Sequence, residues 1–295
     1  MNDSNVEKVK IRAINELEIG KLPDDVSIST MTVICKINTN FICSNIGRYV
    51  DLSHTCILAI KHGKTGDPST NRSLLFKKST TKKKKTKSVF YNQVSLSVHI
   101  NSKGKKPVNI KLFSNGAMQL TGCKTVDNAV ETIYKVFNEL KKVKAIIDYK
   151  QQKVVEKPFV ENPNLLDITC VKNFQIVMIN SNFKIPFKID RNKLYNLLLE
   201  ENYECLYDPV KHACVNIKYE HPEKTISVFV FEKGAIIITG ARNCSQIYGA
   251  YIFINKYLLL NHKKIVKNDK LTNENINKYL RPANDDNSDS DSDFE

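Results

Sequence analysis

An internal duplication constrains the fold of this chain more than any other feature. Leu112–Gly122 reads LFSNGAMQLTG and Val230–Gly240 reads VFEKGAIIITG. Phe, Gly, Ala, Thr and Gly recur in the same order, each 118 residues further along the chain. The alternating segments that begin Val94-Ser-Leu-Ser and Val215-Asn-Ile-Lys match as well. A repeated unit is the economical explanation, so the sequence predicts one architecture built twice.

Each unit is predicted to contain a strand, a helix, four strands and a closing helix. Period-two alternation marks the strands, and apolar residues on one face mark the helices. The strands predicted in the first unit are Ser29–Ile37, Thr55–Ile60, Tyr91–His99, Asn109–Phe113 and Ala117–Thr121, and the helices are Asn38–Val50 and Val126–Lys142. In the second unit the strands are Phe174–Ile185, Glu204–Tyr207, Ala213–Glu220, Thr225–Glu232 and Ala235–Thr239, and the helices are Asp190–Glu201 and Cys244–Leu260. The fold class is therefore α+β, with Asp190 as a helix N-cap and tight hairpins at Asn115-Gly116 and Lys233-Gly234.

Composition changes along the chain indicate segments outside the repeats. We expect an N-terminal segment at 1–25, a first repeat at 26–150 with a basic hairpin insertion at 61–88, a second repeat at 151–264, and an extension at 265–295. The tail 284–295 is acidic and serine-rich, which predicts disorder. It is either a solubilising tail or a phosphorylatable arm that masks the basic surface. The lysine run at 82–85 is a nuclear-localisation patch, a phosphate-contacting arm or solvated charge.

Charge and cysteine usage limit the class of protein. A net charge of +14 attracts polyanions, above all phosphate backbones. No apolar run long enough to span a membrane and no secretory signal is present, which predicts a soluble intracellular protein. The eight cysteines form no C-x-x-C pair, so we expect reduced thiols and no metal, although Cys205, His212 and Cys214 are close in sequence. No cofactor motif and no catalytic constellation appears, so no enzymatic activity is predicted.

The predicted sheet leaves one face without a covering layer of helices. Gln119 and Thr121 share one side of their strand, as do Ile237 and Thr239, and the neighbouring strands end in Phe113 and Phe231. An apolar sheet face needs a partner, and the DNA minor groove suits one that is edged with cations. The alternative is that these side chains pack under a third layer.

Four segments resemble the TATA-box-binding protein family: Ile28–Asn38, Leu112–Lys124, Lys184–Asp190 and Val230–Asn243. The resemblance covers both repeats and is closest to the versions encoded by large DNA viruses. It implies a saddle in which a curved antiparallel sheet carries helices on its convex face and binds promoter DNA through the minor groove. It also implies a location in the nucleus or in a viral factory in the host cytoplasm.

The resemblance assigns roles to individual positions. Residues that wedge between base pairs correspond to Tyr91, Phe113, His212 and Phe231. The groove-facing positions correspond to Val26, Ile28, Thr30, Lys111, Gln119, Thr121, Ile176, Met178, Asn180, Phe229, Ile237 and Thr239. Phosphate contacts are expected from Lys124, Lys218, Arg242, Lys82, Lys83, Lys84 and Lys85.

Some positions depart from the family pattern. Val26 and Ile176 stand where the family has two asparagines that read the centre of the site, so we expect DNA shape to dominate over base edges, with a weakened A/T preference. His212 is a poorer apolar wedge than phenylalanine.

The resemblance implies A/T-rich duplex DNA as a partner, and it implies protein partners only through the position of one loop. Asp208, Pro209, Val210 and Lys211 match the loop on which the family docks a IIB-type initiation factor, which leads to RNA polymerase. Two other hypotheses stay open: an accessory module of a nucleic-acid-processing enzyme, and a saddle that binds protein instead of DNA.

Overall fold

A computed structural model describes residues 21–63, 67, 69–75, 90–101, 106–149 and 152–267. The lysine run 82–85 and the acidic tail 284–295 lie outside the described residues. The strands are β1 Ser27–Lys36, β2 Ile57–His62, β3 Asn71–Ser73, β4 Gln93–Val98, β5 Val108–Phe113, β6 Ala117–Cys123, β7 Lys144–Asp148, β8 Lys153–Lys157, β9 Lys172–Lys184, β10 Cys205–Leu206, β11 Cys214–His221, β12 Lys224–Phe231 and β13 Ala235–Ala241. The helices are α1 Cys43–Tyr49, α2 Val126–Leu140, α3 Arg191–Glu200, α4 Cys244–Leu260 and α5 His262–Ile265. The predicted α+β class is confirmed.

The chain divides into two compact units. The first runs to Ser181 and takes in Thr239–Ser245, and the second comprises Asn182–Ile238 and continues from Gln246. The divisions fall within β9, β13 and α4, so neither unit is one uninterrupted stretch of sequence.

An antiparallel sheet forms the core of the first unit. β1 pairs with β6, β6 with β5, β5 with β4, β4 with β2, and β2 with β3, all antiparallel, and β9 lies next to β1. Alternate residues such as Val94, Leu96 and Ile110 are fully buried. Helix α2 packs against β4, β5 and β6, and α1 packs against β2 and β4. Thr125 begins α2 by accepting a hydrogen bond from the backbone N–H of Asn128.

The second unit repeats this plan. β10 pairs with β11 and β11 with β12, both antiparallel, and the order continues through β13 to β9. Helix α3 packs against β10 and β11. Asp190 is its N-cap as predicted, since its carboxylate accepts from the backbone N–H groups of Asn192 and Lys193 at 3.1 Å. An aromatic cluster joins α4 to the sheet, with Phe253 stacked on Tyr219 at 5.2 Å.

The two predicted hairpins are confirmed. Gly116 has φ +82° and Gly234 has φ +78°, the left-handed region that glycine adopts without strain. In each unit the carbonyl of this glycine accepts a backbone hydrogen bond from an isoleucine, Ile37 at 3.0 Å and Ile185 at 2.9 Å. The duplication seen in the sequence is therefore a duplication of backbone geometry.

Other segments differ from prediction. The helix predicted from Asn38 begins only at Cys43, because the preceding residues run along the β5–β6 hairpin, where Phe41 N–H donates to the Ser114 carbonyl. The edge strand β3 and the β7–β8 hairpin were not predicted. Among the described residues, no helix is both long enough and apolar enough to cross a membrane.

Candidate nucleic-acid interface

We call the sheet side opposite the buried alternate residues of each unit its open face. In the first unit, β4, β5 and β6 contribute alternate half-buried side chains to it. They are Gln93, Ser95, Ser97, Asn109, Lys111, Phe113, Ala117, Gln119 and Thr121. In the second unit, β11, β12 and β13 contribute Cys214, Asn216, Lys218, Ser227, Phe229, Phe231, Ala235 and Ile237, while Thr239, further along β13, belongs to the first unit. The alternation therefore places the predicted groove-facing residues of these strands on one face in each unit.

The open face of the first unit is mainly polar. Lys111 lies in cross-strand register with Ser95 on β4 and with Gln119 on β6. Next to it, the Asn109 amide donates to Ser95 Oγ at 3.1 Å and to the Leu96 carbonyl at 3.3 Å. On β4, β5 and β6 the face therefore offers hydrogen-bond donors, the ammonium group of Lys111 and the aromatic ring of Phe113.

The open face of the second unit is more apolar. Phe229 takes the place that Lys111 has in the first unit and lies opposite Asn216, while Phe231 lies opposite Cys214. Ile237 replaces Gln119 in the repeat. The ammonium of Lys218 donates to Ser227 Oγ at 2.9 Å, so this predicted phosphate contact is held on the sheet surface. The two repeats therefore share one backbone arrangement but carry different side chains on their open faces.

The four predicted wedge positions differ in exposure. Phe113 and Phe231 are half-buried at the ends of β5 and β12. Tyr91 is 69% exposed and leans edge-on against His62, with ring centroids 6.5 Å apart. His212 is exposed in the turn before β11.

Sequence reasoning missed one residue of this surface and one exposed aromatic near a predicted wedge position. The aromatic is Phe90, next to Tyr91, which is 55% exposed. Ile34 is exposed on β1 in register with Gln119. The alternation of β1 could have identified Ile34. Phe90 lies outside the predicted strand Tyr91–His99, so no periodic pattern includes it.

Strands β1 and β9 carry the remaining groove-facing predictions. Ile28, Thr30, Ile176, Met178 and Asn180 are half-buried. Val26 differs, because it is only 8% exposed, so almost none of its side chain is available for a surface contact. It lies before β1, where its backbone N–H closes a turn onto the Pro23 carbonyl at 2.9 Å.

Asn180 lies at the centre of a hydrogen-bonded group in the first unit. Its amide nitrogen Nδ2 donates to Thr30 Oγ1 at 3.1 Å, and its oxygen accepts from the hydroxyl of Thr239. The structure thus brings together three predicted groove-facing residues that are far apart in sequence.

Basic residues follow both repeated T-G pairs. Lys124 and Arg242 are exposed just beyond β6 and β13. Lys82, Lys83, Lys84 and Lys85 lie outside the described residues.

The carboxylate of Asp208 makes the contacts that hold the loop from Asp208 to Lys211 in its conformation. The Asp208 carboxylate accepts from the backbone N–H of Val210 at 3.0 Å and forms an ion pair with Lys211 at 2.9 Å. The hydrogen bond from Lys211 is the main reason that the pKa of Asp208 is lowered. Val210 is 93% exposed, so it is the loop's most accessible apolar group.

The thiols have the character of structural groups. All eight cysteines are free, and Cys35, Cys43 and Cys123 are buried. Burial raises the pKa of Cys35 and of Cys123 to about 12, which makes these thiols poor nucleophiles and metal ligands. Within the described ranges, no group of three or more His, Cys, Asp or Glu residues could hold a metal ion.

Comparisons with known proteins found three similarities. A family model described as transcription factor TFIID (or TATA-binding protein, TBP) matches residues 173–259. A protein of Acanthamoeba polyphaga mimivirus named "TATA-box-binding protein-like" is 37% identical over 286 residues, which cover 91% of this chain and 76% of the viral protein. The solved structure of Methanococcus jannaschii TBP aligns with a TM-score of 0.47 and 14% identity, covering 78% of this chain and 96% of the archaeal chain.

Proposed function

We propose, from the premise that this chain belongs to the TATA-box-binding protein family, that it is a transcription initiation factor that binds promoter DNA in the minor groove and bends it. Family membership itself supports a DNA-binding role without catalysis. The site of action is then wherever the DNA is transcribed, in the nucleus or in a viral factory.

The single observation that carries the proposal is the pair of open faces with a phenylalanine at the same place in each. Phe113 and Phe231 end β5 and β12, 118 residues apart, beside the two glycine hairpins. Apolar side chains of this kind can insert between base steps and kink DNA toward the major groove, a mechanism of which this family is itself the example. The repeated placement supports insertion at two points in the site.

The chemistry of the faces supports contact with the groove floor. The half-buried Gln119 and Thr121 carry hydrogen-bond donors, and A·T pairs present only acceptors in the minor groove. Phe229 and Ile237 add apolar area that suits a widened groove.

Charge supports the same partner. The net charge of +14 gives a long-range attraction to phosphate, and Lys124 and Arg242 are exposed beyond the two T-G pairs. An A/T-rich promoter is therefore the proposed ligand.

Recruitment of the transcription machinery is proposed through the loop Asp208–Lys211. Its acid is engaged with its own backbone and with Lys211, so Val210 is the group most able to bury area against a partner. A IIB-type factor that docks here would have to accept an apolar tip and a lysine.

A bend measurement tests the proposal. Duplexes selected from a random pool by the wild-type protein would carry a fluorophore at each end, so that bending raises energy transfer. We expect F113A and F231A each to reduce the bend and the double variant to abolish it. Tyr134→Ala is the matched control, since Tyr134 is an exposed aromatic on α2.

Two results would contradict the proposal. The first is that the wild-type protein binds every duplex in the pool with the same affinity, as expected from attraction between charges alone. The second is unchanged DNA affinity in the double variant together with loss of a protein partner, which would assign the open face to protein binding.

A further inference from the structure

Asn180 is placed by its strand on the open face. Its neighbours Ile179 and Ser181 are both fully buried, so the alternation of β9 turns Asn180 the other way. In the sheet order β9 lies between β1 and β13. Asn180 therefore has a strand on each side, and both supply it with a hydroxyl group.

These two hydroxyls fix the orientation of the carboxamide. Nδ2 donates to Thr30 Oγ1 at 3.1 Å, and Oδ1 accepts from Thr239 Oγ1. A carboxamide has two N–H donors, and only one is used here. Because both ends of the amide are held, the second N–H has a defined direction, and it donates to no group in the described part of the chain.

The first repeat has no such amide. The isoleucines whose backbone N–H groups donate to the two hairpin glycines, Ile37 and Ile185, are 148 residues apart, which pairs Asn180 with Thr32. The family positions Val26 and Ile176 are 150 residues apart, which pairs Asn180 with Thr30, and neither threonine carries an amide. Thr32 is only 7% exposed and lies in register with Thr121. The oriented amide is thus a property of one repeat alone.

We propose that Asn180 reads a base edge in the minor groove, with Thr30 and Thr239 as the residues that position its amide. This inference rests on the proposed function. A·T pairs offer only the acceptors N3 and O2, whereas a G·C pair adds the donor N2 amine of guanine. A fixed N–H donor can bond to the acceptors of an A·T pair, whereas it meets another donor in the guanine amine of a G·C pair. Asn180 therefore selects against guanine at the base step it faces.

Asn180 would supply a hydrogen bond to a base edge, which the residues at Val26 and Ile176 cannot make. Val26 and Ile176 cannot donate a hydrogen bond to a base, and Val26 is buried. Asn180 can donate one, from a different position on β9. The discrimination is confined to one side of the site, because neither corresponding threonine of the first repeat has an amide.

Single inosine substitutions separate a hydrogen-bond reader from a shape effect. An I·C pair lacks the guanine amine and so resembles A·T in the minor groove, while it keeps the major-groove pattern of G·C. In a duplex selected by the wild-type protein, each A·T pair would be replaced in turn by I·C and by G·C, and affinity measured by fluorescence anisotropy. At one step we expect I·C to bind like A·T and G·C to bind about 5- to 100-fold more weakly.

Variants assign that step to Asn180. We expect N180L and N180A to bind I·C and G·C equally at this step, and T30V to lose part of the discrimination while Asn180 is still present. Asn196→Ala is the matched control, since Asn196 is an exposed asparagine on α3. It should keep the full ratio.

The outcomes separate this inference from the proposed function. If the wild-type protein selects and bends DNA but N180L and N180A keep the full I·C to G·C ratio, the assignment of Asn180 is overturned and the proposed function stands. The same holds if no step distinguishes I·C from G·C. If the wild-type protein shows no preference for any duplex, both fail together.

Discussion

A Cβ atom on Gly116 would lie 2.3 Å from the carbonyl oxygen of Ile37. In the second unit a Cβ on Gly234 would lie 2.5 Å from the carbonyl oxygen of Ile185. Both distances are shorter than side-chain carbons tolerate, and both glycines also have positive φ. The hairpin between the last two strands of each repeat therefore requires glycine for two independent reasons.

Alanine at Gly234 is expected to cost more than alanine at Gly240. Both glycines have positive φ, which costs a non-glycine residue about 1–2 kcal/mol. A Cβ at Gly240 meets nothing within 4 Å, whereas one at Gly234 meets two carbonyl oxygens. We expect G240A to lower the free energy of unfolding by about 1 kcal/mol and G234A by about 3 kcal/mol or more, as measured by urea denaturation. Equal losses would show that the close approach at Gly234 is relieved by movement of the hairpin.

Phenylalanine at His212 is expected to increase DNA bending. His212 is exposed at a proposed wedge position of the second repeat, and a less polar ring would gain more from inserting between bases. Energy transfer across an end-labelled duplex should rise for H212F. Tyr91→Phe is the matched change in the first repeat and should have little effect, because tyrosine already presents an aromatic body. An unchanged bend in H212F would remove His212 from the set of wedges.

Replacement of Lys82–Lys85 by alanine is expected to weaken the salt dependence of DNA affinity. Each phosphate contact contributes about 0.9 to the slope of log affinity against log salt, so four contacts would reduce it by about 3.6. The slope is measured by titrating duplex DNA at several salt concentrations. Lys141→Ala, at the end of α2, is the control and should leave the slope unchanged. If the alanine variant kept the wild-type slope, the lysine run would be solvated charge or a localisation patch.

Glu232 is expected to stabilise the second unit only above acidic pH. Its carboxylate forms ion pairs with Lys267 at 3.2 Å and Arg191 at 2.9 Å. The hydrogen bond and charge of Lys267, followed by those of Arg191, lower its pKa. A lowered pKa gives a stabilisation that is present above the ordinary pKa of glutamate and is lost as the pH falls below about 4.

The measurement is the melting temperature of E232Q across that pH range. At pH 7 the variant should melt below the wild-type protein, and near pH 3 the two should converge. Glu220→Gln, an exposed change on β11, is the control and should show no such convergence. A constant difference between E232Q and wild type at all pH values would assign the effect to packing.

Alternation and turn chemistry predicted most of the repeated elements from sequence. Asp190 was identified as an N-cap because its carboxylate precedes an amphipathic segment, and the structure confirms it. The edge strand β3 has no apolar alternation. It is held instead by Arg72, whose guanidinium donates to the Gly47 and Val50 carbonyls at the end of α1. Such a contact depends on tertiary structure and leaves no periodic signal.

The candidate site shows the same limit. The positions on β5, β6, β12 and β13 that we predict to face the groove follow from period-two alternation, and the structure reproduces that alternation. The bonds of Asn180 join residues 150 and 59 positions away, so no local pattern predicts them. The burial of Val26 likewise depends on how the chain turns before β1.

The difference between the two open faces has a consequence for any ligand with twofold symmetry. Lys111 and Gln119 in one repeat correspond to Phe229 and Ile237 in the other, so under the proposed function a palindromic DNA would meet one polar and one apolar surface. Its two docking directions would be equivalent, whereas those of a non-palindromic DNA would differ in energy. Divergence after duplication has thus given two copies of one backbone different surfaces, which under the proposed function would let the protein distinguish the two orientations of a promoter.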